Sequence, residues 1–230
     1  MKRSIINQTI EDAKRLLDDY HITLPPFAYW SPDEWTTKGT ECDEIRHCML
    51  GWDITDFGSG EFEKVGLVVF TVRNGHKVLP QYQSKTYCEK ILIVQEDQVT
   101  PMHYHKDKQE DIIVRAGGNM VVQLHNVTES GELDDTDVTV SLDGISRTVP
   151  ASDKMVLTPG ESITLPPFLA HAFWAESGHG VSIIGEVSKV NDDNRDNFFV
   201  PSLPRFPEIE EDALPIHLLC TEYPSYAPPA

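Results

Sequence analysis

The chain has 230 residues, of which 19 are basic and 37 acidic, so its formal net charge is −18 with histidine counted as neutral. This length suits a single domain with its own hydrophobic core, and 40% hydrophobic with 24% charged residues is typical of a globular protein. The acidic excess argues against nucleic acid and anionic membranes as partners, because few cations remain to neutralise phosphates.

The cysteines and the N-terminus indicate a reducing compartment. Four cysteines occur at positions 42, 48, 88 and 220 without a CxxC pair, so we expect free, mostly buried thiols. The basic N-terminus is not followed by the apolar segment of a secretory signal. The longest apolar run, residues 65–72, falls far short of the roughly 20 residues that a membrane helix needs. These features predict a soluble, cytoplasmic protein.

Helical periodicity is confined to the first part of the chain. Apolar residues between Ile10 and Tyr20 fall on one stripe and predict a helix over 7–20, with Thr9 and Asp12 in the positions of a capping box. Ser31 and the proline that follows it are typical of a second helix start. We expect residues 1–50 to form a helical extension packed on the rest of a single domain.

From about Gly51 the sequence becomes strand-like. Short apolar segments alternate with Gly, Pro, Asn and Asp, a spacing that indicates an all-β sandwich or barrel over residues 51–200. Asn74 and Gly75, directly after one such segment, predict a hairpin turn. The proline-rich residues 201–230 are expected to form an irregular tail that wraps the surface.

The most informative segment is PMHYHKDKQE, residues 101–110. On an extended segment His103 and His105 point to the same side, and Glu110 on the next strand can join them. His171 supplies a third imidazole from later in the chain. Three imidazoles and one carboxylate suit Mn²⁺, Fe²⁺, Zn²⁺, Ni²⁺ or Co²⁺, and the ligand types alone do not select one of these ions.

The spacing of these four residues resembles the two motifs of the cupin family. The first motif corresponds to His103 through Gly117, and the second to Gly160 through His171. The resemblance implies a cupin β-barrel, which is a jelly-roll-like antiparallel barrel, with an N-terminal helical extension and an irregular C-terminal tail.

Three positions depart from the cupin motifs. Asp97 and Phe168 stand where the motifs have glycine, and Ala175 stands where the second motif has asparagine. None of these three is a ligand, so the departures leave the metal-site prediction intact.

Polar residues on strands near the motifs are candidates for chemistry beside the ion. Lys90 interrupts the apolar segment YCEKILIVQ, Lys108 lies between the HxH pair and Glu110, and Glu186 interrupts VSIIGEVSKV. Half of the strand positions in a small barrel face inward, and an inward Lys or Glu is costly unless it is paired or functional. The residues alone leave open whether these side chains face the interior or solvent.

Over nearly the whole chain the sequence resembles the D-lyxose ketol-isomerase family, a branch of the cupins. The matching segments include LPPFAYWSPDEW, YCEKILIVQEDQVTPMHYHKDKQEDII, AGGN, LPPFLAHAFWAE, GEVSKVNDDNRDNFF and RFPEIEED. The resemblance implies a metal-dependent isomerase of free sugars, converting D-lyxose to D-xylulose and also D-mannose to D-fructose, often with Mn²⁺. It implies the metal ligands His103, His105, Glu110 and His171, the catalytic residues Lys108 and Glu186, and the substrate-binding residues Lys90, Asp196 and Arg205.

The chemistry of such an isomerase assigns roles to the two predicted catalytic residues. Isomerisation moves a proton between C1 and C2 of the open-chain sugar through a cis-enediol. Glu186 is the predicted base, and burial is expected to raise the pKa of its carboxyl group towards the working pH. Lys108 is predicted to stabilise the enediolate or to assist ring opening.

Three other functions remain open at this point. A cupin phosphosugar isomerase would need a cationic phosphate pocket, and no Arg-rich or Ser/Thr-rich cradle accompanies the motifs. A metal-dependent dioxygenase uses similar ligands, and a sugar-binding cupin would bind without turnover. Cupins commonly pair through sheet edges, which expose unpaired backbone groups, so we expect a homodimer.

Overall fold

The chain enters the fold through short helices in the computed structural model, which describes residues 1–226. The helices are α1 (Arg3–Asp19), α2 (Pro32–Thr36) and α3 (Asp43–His47), with 3₁₀ turns at Pro26–Tyr29, Thr40–Cys42 and Pro80–Tyr82. Helix α2 starts at Ser31 as predicted, where a capping box with Glu34 satisfies both backbone N–H groups. Among these described helices, none combines the length and apolarity needed to cross a membrane.

Helix α1 begins four residues earlier than predicted, because the C-terminal tail caps it. The expected local capping box does not form, since both of its residues lie inside the helix. Instead, the carboxylate of Asp212 accepts hydrogen bonds from the backbone N–H of Ser4 at 2.9 Å and from its hydroxyl at 2.7 Å. The buried Arg3 pairs with Glu211 at 2.7 Å and with Glu222. A local pattern cannot reveal a cap that comes from the other end of the chain.

Fourteen strands in residues 1–226 confirm the all-β prediction. They are β1 (Gly51–Thr55), β2 (Leu67–Arg73), β3 (Tyr87–Val94), β4 (Thr100–Tyr104), β5 (Glu110–Gly117), β6 (Met120–Val127), β7 (Leu133–Asp134), β8 (Val138–Leu142), β9 (Ile145–Val149), β10 (Lys154–Leu157), β11 (Ser162–Leu165), β12 (Leu169–Ala175), β13 (Ser182–Lys189) and β14 (Phe198–Phe199). One sheet has the order β1-β2-β3-β13-β5-β11-β8-β9, and the other has the order β10-β6-β12-β4-β14 with β7 paired to β6.

Two apolar layers hold the fold together. The inner layer fills the space between the two sheets, where alternate residues of each strand point inward, as Val138, Val140 and Leu142 do on β8. The outer layer packs the apolar stripe of α1 against the back of the eight-stranded sheet, where Ile10 joins the cluster that contains Trp52. The helical extension therefore covers one face of the barrel and leaves the interior to the strands.

The strand register brings the predicted site residues towards one another. His103 on β4 pairs with His171 on β12 in the six-stranded sheet. Lys90 on β3 pairs with Glu186 on β13 in the eight-stranded sheet, and Glu110 opens β5 beside β13. The candidate site is therefore built from both sheets and lies between them.

Strands β2 and β3 pair antiparallel, as in a hairpin, but the tight turn predicted at Asn74 and Gly75 does not form. Strand β2 ends at Arg73, and β3 begins only at Tyr87. The Asn74 side chain is buried, donates to the carbonyls of Cys48 and Asn191, and accepts from the Asn191 backbone N–H. Gly75 is required for a close approach, since a Cβ there would lie 1.8 Å from the Lys85 carbonyl oxygen.

The departures from the cupin glycines fall on backbone positions that favour glycine. Asp97 has a φ of 58° and Phe168 a φ of 62°, both in the left-handed region. The Phe168 backbone N–H donates to the carbonyl of the ligand residue His105 at 2.8 Å. The chain thus keeps the backbone conformation of the motif without its glycine. The strained Phe168 also hydrogen-bonds to a residue of the candidate site.

The tail returns along the barrel to the N-terminal helix. After β14 it has no further strand within the described residues, and it buries Leu219 and Cys220. All four cysteines are free and buried, as expected. The division into residues 1–50, 51–200 and 201–230 stays a prediction, and residues 227–230 lie outside the described chain.

Candidate metal centre and active site

Four predicted ligands form one compact, buried cluster. The ligand atoms of His103, His105, Glu110 and His171 all lie within 4.8 Å of one another. Their residues are at most 8% exposed, so water competes little for these atoms. The Glu110 Oε1 atom lies 3.0 Å from Nε2 of His171 and 3.6 Å from Nε2 of His105. The HxH pair, Glu110 and the distant His171 therefore converge as predicted.

Backbone carbonyls orient all three imidazoles. The Nδ1 atom of His103 lies 2.8 Å from the Pro101 carbonyl oxygen, and that of His171 lies 3.1 Å from the Leu169 carbonyl oxygen. The Nδ1 atom of His105 contacts the carbonyl oxygen of Asp196. Each Nδ1 must carry the proton to donate to a carbonyl, which leaves the lone pair on Nε2. Fixing the tautomer in this way is what metal-binding histidines require.

The unpaired atoms of the cluster fit a cation. Nε2 of His105 and of His171 are buried, and neither has a hydrogen-bond partner in residues 1–226. Burial and the neighbouring His171 and His105 lower the pKa of His103 well below its ordinary value, so the ring is neutral. Lone pairs and a carboxylate that meet without a proton between them need a positive ion to offset their repulsion. The donor set therefore fits a divalent metal.

An alternating chain of charges runs from the cluster into the barrel. Lys108 Nζ lies 2.6 Å from Oε2 of Glu110 and 3.0 Å from Oε1 of Glu186. Lys90 Nζ lies 3.3 Å from the same Glu186 oxygen. Asn191 Oδ1 accepts from Lys90 at 2.9 Å and from Lys108 at 3.3 Å. The structure thus places both predicted lysines and Glu186 inside the barrel and in contact with one another.

These charges set the protonation states of the site and correct one expectation. Burial raises the pKa of Glu186, but the ammonium groups of Lys108 and Lys90 outweigh it, so this pKa lies below its ordinary value rather than above it. Burial lowers the pKa of Lys108, but the carboxylates of Glu110 and Glu186 raise it by more. This pKa therefore lies above its ordinary value. The free site therefore holds carboxylates and ammonium groups, not their neutral forms.

Arg205 closes the cavity from the tail. Its guanidinium contacts the carboxylate of Asp53 and lies 3.2 Å from Oδ1 of Asp193. Arg205, Asp193 and Lys90 all line the cavity that contains the four predicted ligands. The substrate-binding role of Arg205 and Lys90 stays a prediction, and the structure adds that both side chains line this cavity.

Asp196 lies beside the site but does not line the cavity. Its carboxylate accepts the backbone N–H groups of Lys106 at 2.7 Å and Lys108 at 2.9 Å, and that of Asp107 at 3.2 Å. Burial raises the pKa of Asp196, but these three N–H groups lower it more, and the group is an anion. Asp196 therefore holds the loop that carries His105 and Lys108, and its predicted substrate contact stays a prediction.

Several residues of the site carry no signal in the sequence. Asn191, Asp193 and Asn197 lie in one polar segment, and only the fold shows which of them face the cavity. Asp53, the partner of Arg205, lies on β1 about 150 residues away in the chain. The alternation of side chains along a strand locates the inward positions of strands, but it gives no information about loops that fold back over the barrel.

The structural comparisons identify the class. L-ribose isomerase from Cellulomonas parahominis, in complex with L-psicose, matches with a TM-score of 0.59 at 17% identity, over 91% of this chain and 98% of that one. L-ribose isomerase from Acinetobacter sp. DL28, in complex with L-ribose, matches with a TM-score of 0.57 at 15% identity, over 87% and 92% of the two chains. At this identity the likeness concerns the fold alone, which is that of a cupin barrel.

Sequence comparisons then identify the family. A sequence model of the D-lyxose isomerase family matches residues 1–223. D-lyxose/D-mannose isomerase from Serratia proteamaculans is 46% identical over 97% of this chain and 98% of its own length. The protein of the same name from Escherichia coli O157:H7 is 45% identical over the same shares. The chain belongs to the D-lyxose isomerase family, and it is an isomerase that interconverts aldose and ketose sugars.

Proposed function

We propose that the protein converts D-lyxose to D-xylulose, and D-mannose to D-fructose, with a divalent ion held by His103, His105, Glu110 and His171. The two relatives that match nearly the whole chain are named for D-lyxose and D-mannose, which supports the substrates. The three imidazoles and the carboxylate support a divalent cation. We assign Mn²⁺ first, with Zn²⁺, Co²⁺, Ni²⁺ and Fe²⁺ as the ions to compare with it.

The observation that carries the proposal is the environment of Glu186. Lys108, Lys90 and Ser188 all contact Oε1 of its carboxylate, at 3.0, 3.3 and 3.0 Å. Oε2 has no hydrogen-bond donor in the described part of the chain. Three contacts hold the carboxylate in one orientation and leave the other oxygen available to a proton. A fixed base beside a cation site is what transfer between two adjacent carbons requires.

The reaction then follows from where the groups lie. When bound, the ion would polarise the oxygens on C1 and C2 and offset the negative charge that develops on them. Oε2 of Glu186 removes the proton from C2 of the open-chain aldose and returns it to C1. The hydroxyl proton on C2 moves to the oxygen on C1, so the net change is an internal transfer of two hydrogens. The Lys108 ammonium group, between Glu110 and Glu186, stabilises negative charge on the reacting oxygens.

The charge pairing of the cavity argues against a phosphorylated sugar. Lys90, Lys108 and Arg205 each lie in contact with a carboxylate, so these cations are already compensated. A phosphate would bring up to two further negative charges into the same space, where no unpaired Lys or Arg lines the cavity within residues 1–226. Membership of an isomerase family likewise argues against the dioxygenase and the non-catalytic binding protein.

The central experiment loads metal-free protein with one ion at a time. The protein is stripped with a chelator and reconstituted with Mn²⁺, Co²⁺, Ni²⁺, Zn²⁺ or Fe²⁺. It is then assayed for ketose formation from D-lyxose, D-mannose, D-xylose and an aldose phosphate, and for aldose formation from D-ribulose. We expect turnover of D-lyxose with at least one ion and no turnover without one. Full activity in the stripped enzyme, or activity only on a phosphosugar, would contradict the proposal.

A substitution at Glu186 tests the mechanism separately. Glu186→Gln keeps the shape of the side chain and removes its ability to take a proton, so we expect kcat to fall by about 10²–10⁴ with metal content unchanged. Glu89→Gln, on the same sheet and paired with Arg73 outside the cavity, is the matched control and should keep full activity. Near-normal turnover of Glu186→Gln would remove this residue from the reaction.

We also propose a homodimer, since β9 and β10 each end a sheet, with no further strand paired to their outer edges in the described residues, and a second copy can cover such edges. Sedimentation equilibrium measures the mass directly. A mass equal to that of one chain at micromolar concentration would contradict the dimer.

A further inference from the structure

Unpartnered polar atoms concentrate in the candidate active site. Seven buried side-chain nitrogen or oxygen atoms have no hydrogen-bond partner in residues 1–226, and five of them belong to residues that line this one cavity. Buried polar groups are normally paired, because an unpaired one loses its interaction with water and gains nothing in return. A concentration of exceptions in one place therefore points to a ligand that supplies the missing partners.

Two of the five atoms already have a role in the proposed metal centre. They are Nε2 of His105 and Nε2 of His171. The other three are Oγ1 of Thr100, Oδ1 of Asn197 and Nη1 of Arg205. None of these suits a second metal site, because the guanidinium is itself a cation. Together they offer one acceptor, one donor and one hydroxyl that is both, which are the complements of sugar hydroxyl groups.

The neighbours of these atoms fix their orientation. Nδ2 of Asn197 donates to Oδ1 of Asp193 at 3.4 Å, which turns the amide oxygen away from that carboxylate. Nε and Nη2 of Arg205 are held by Asp193 and Asp53, so Nη1 is the nitrogen left over. Thr100 opens β4, the strand that carries His103, and is 2% exposed. The three atoms are thus held in place before any substrate arrives.

We propose that Thr100 and Asn197, together with Arg205, form the part of the sugar site that binds the hydroxyl groups not held at the metal centre. This inference rests on the proposed function, in which the oxygens on C1 and C2 lie at the ion. The hydroxyls on C3, C4 and C5 of a pentose then need donors and acceptors within the barrel. Thr100 and Asn197 are specificity-determining residues in this arrangement and take no part in proton transfer.

The test uses a substitution whose effects on stability and on activity have opposite signs. Thr100→Val removes an unpaired buried hydroxyl at nearly constant volume, so the free protein should unfold at the same or a higher temperature. The same change should lower kcat/KM for D-lyxose by about 3- to 10-fold, because one substrate hydrogen bond is lost. Asn197→Ala is the second variant, and its kcat/KM should fall by a similar factor.

Ser182 provides a matched control. Its hydroxyl is also buried and unpartnered in the described chain, but it does not line the cavity. Ser182→Ala should therefore change thermal stability as Thr100→Val does and leave kcat/KM unchanged. Metal content is measured for each variant and should equal that of the parent protein.

Deoxy substrates distinguish a sugar contact from an ordered water. The parent enzyme should discriminate by about 10-fold between D-lyxose and the 3-, 4- or 5-deoxy sugar that lacks the bound hydroxyl. In Thr100→Val or Asn197→Ala, the ratio of kcat/KM for D-lyxose to kcat/KM for that deoxy sugar should fall towards one. If the parent converts D-lyxose but neither variant changes kcat/KM or the ratio, the cavity atoms bind water and the inference is wrong. If the parent does not convert D-lyxose at all, the proposed function fails first.

Discussion

Replacing Asp196 separates a structural role from a substrate contact. Its carboxylate accepts hydrogen bonds from the backbone N–H groups of residues 106–108. Its backbone carbonyl oxygen contacts Nδ1 of the predicted ligand His105. Asp196→Ala removes the carboxylate acceptor and leaves the carbonyl in place. The loop between the HxH pair and Glu110 then loses three backbone hydrogen bonds, including the one that positions the backbone of Lys108.

The magnitude follows from what each donor can find instead. The N–H of Lys108 is buried, and leaving it unpaired costs about 1–3 kcal/mol. The N–H groups of Lys106 and Asp107 lie nearer the surface, so water replaces most of their lost bonds. We expect the free energy of unfolding to fall by about 3 kcal/mol in total. A mobile loop should also lower metal affinity and kcat together.

The pH dependence has a definite sign. Because the pKa of Asp196 is lowered in the folded protein, its stabilisation is fully present above the unfolded pKa of about 3.9 and is lost as the pH falls through the folded value. The stability difference between the parent protein and Asp196→Asn should therefore be constant near neutral pH and shrink below about pH 4.

Urea denaturation of the metal-free proteins and calorimetric Mn²⁺ binding provide the measurements. Asp107→Ala is the control, since that side chain is largely exposed and its one ion pair within residues 1–226 is with Lys77. The free energy of unfolding of this variant should change by less than about 1 kcal/mol. The reasoning is refuted if Asp196→Ala is as stable as the parent and binds metal normally while KM for D-lyxose alone rises. That outcome would return Asp196 to the substrate-binding residues.

Three further outcomes test the site, the backbone and the thiols. His171→Ala should lose bound metal and activity together, measured as metal per chain after dialysis. Phe168→Gly should change the free energy of unfolding by less than about 1 kcal/mol, because relief of the positive φ offsets the lost stacking on Tyr104, whose ring centroid lies 6.3 Å away. Burial raises the pKa of Cys48 to about 11 and that of Cys88 to about 12, so neither should react with a thiol reagent at pH 8 until urea unfolds the protein.

The cluster of candidate metal ligands was predictable because its residues follow rules of alternation and motif spacing in the sequence. Alternation on an extended strand places His103 and His105 on one side, and the motif spacing adds Glu110 and His171. The same alternation supports Lys90 and Glu186, which face each other across β3 and β13. Each of these residues lies on, or directly beside, a regular strand.

The rest of the site depends on contacts that no local pattern records. Asn74 looked like a turn residue but instead ties β2 to the loop at Asn191. Asp196 looked like a substrate ligand, but its carboxylate is used by backbone N–H groups. The sequence predicts a raised pKa for Glu186 from burial in a partly dry pocket, and only the fold shows that Lys108 and Lys90 both lie beside its carboxylate and lower this pKa.

The pairing of the chain ends has a consequence for synthesis. Arg3 enters the first turn of α1, yet the carboxylates that compensate it are Glu211 and Glu222. Arg205 also reaches the cavity from beyond the last strand. A nascent chain therefore carries an uncompensated Arg3 guanidinium and an incomplete cavity until residues 205–222 leave the ribosome. Shortened translation products that end before Arg205 should be inactive even if their barrel forms.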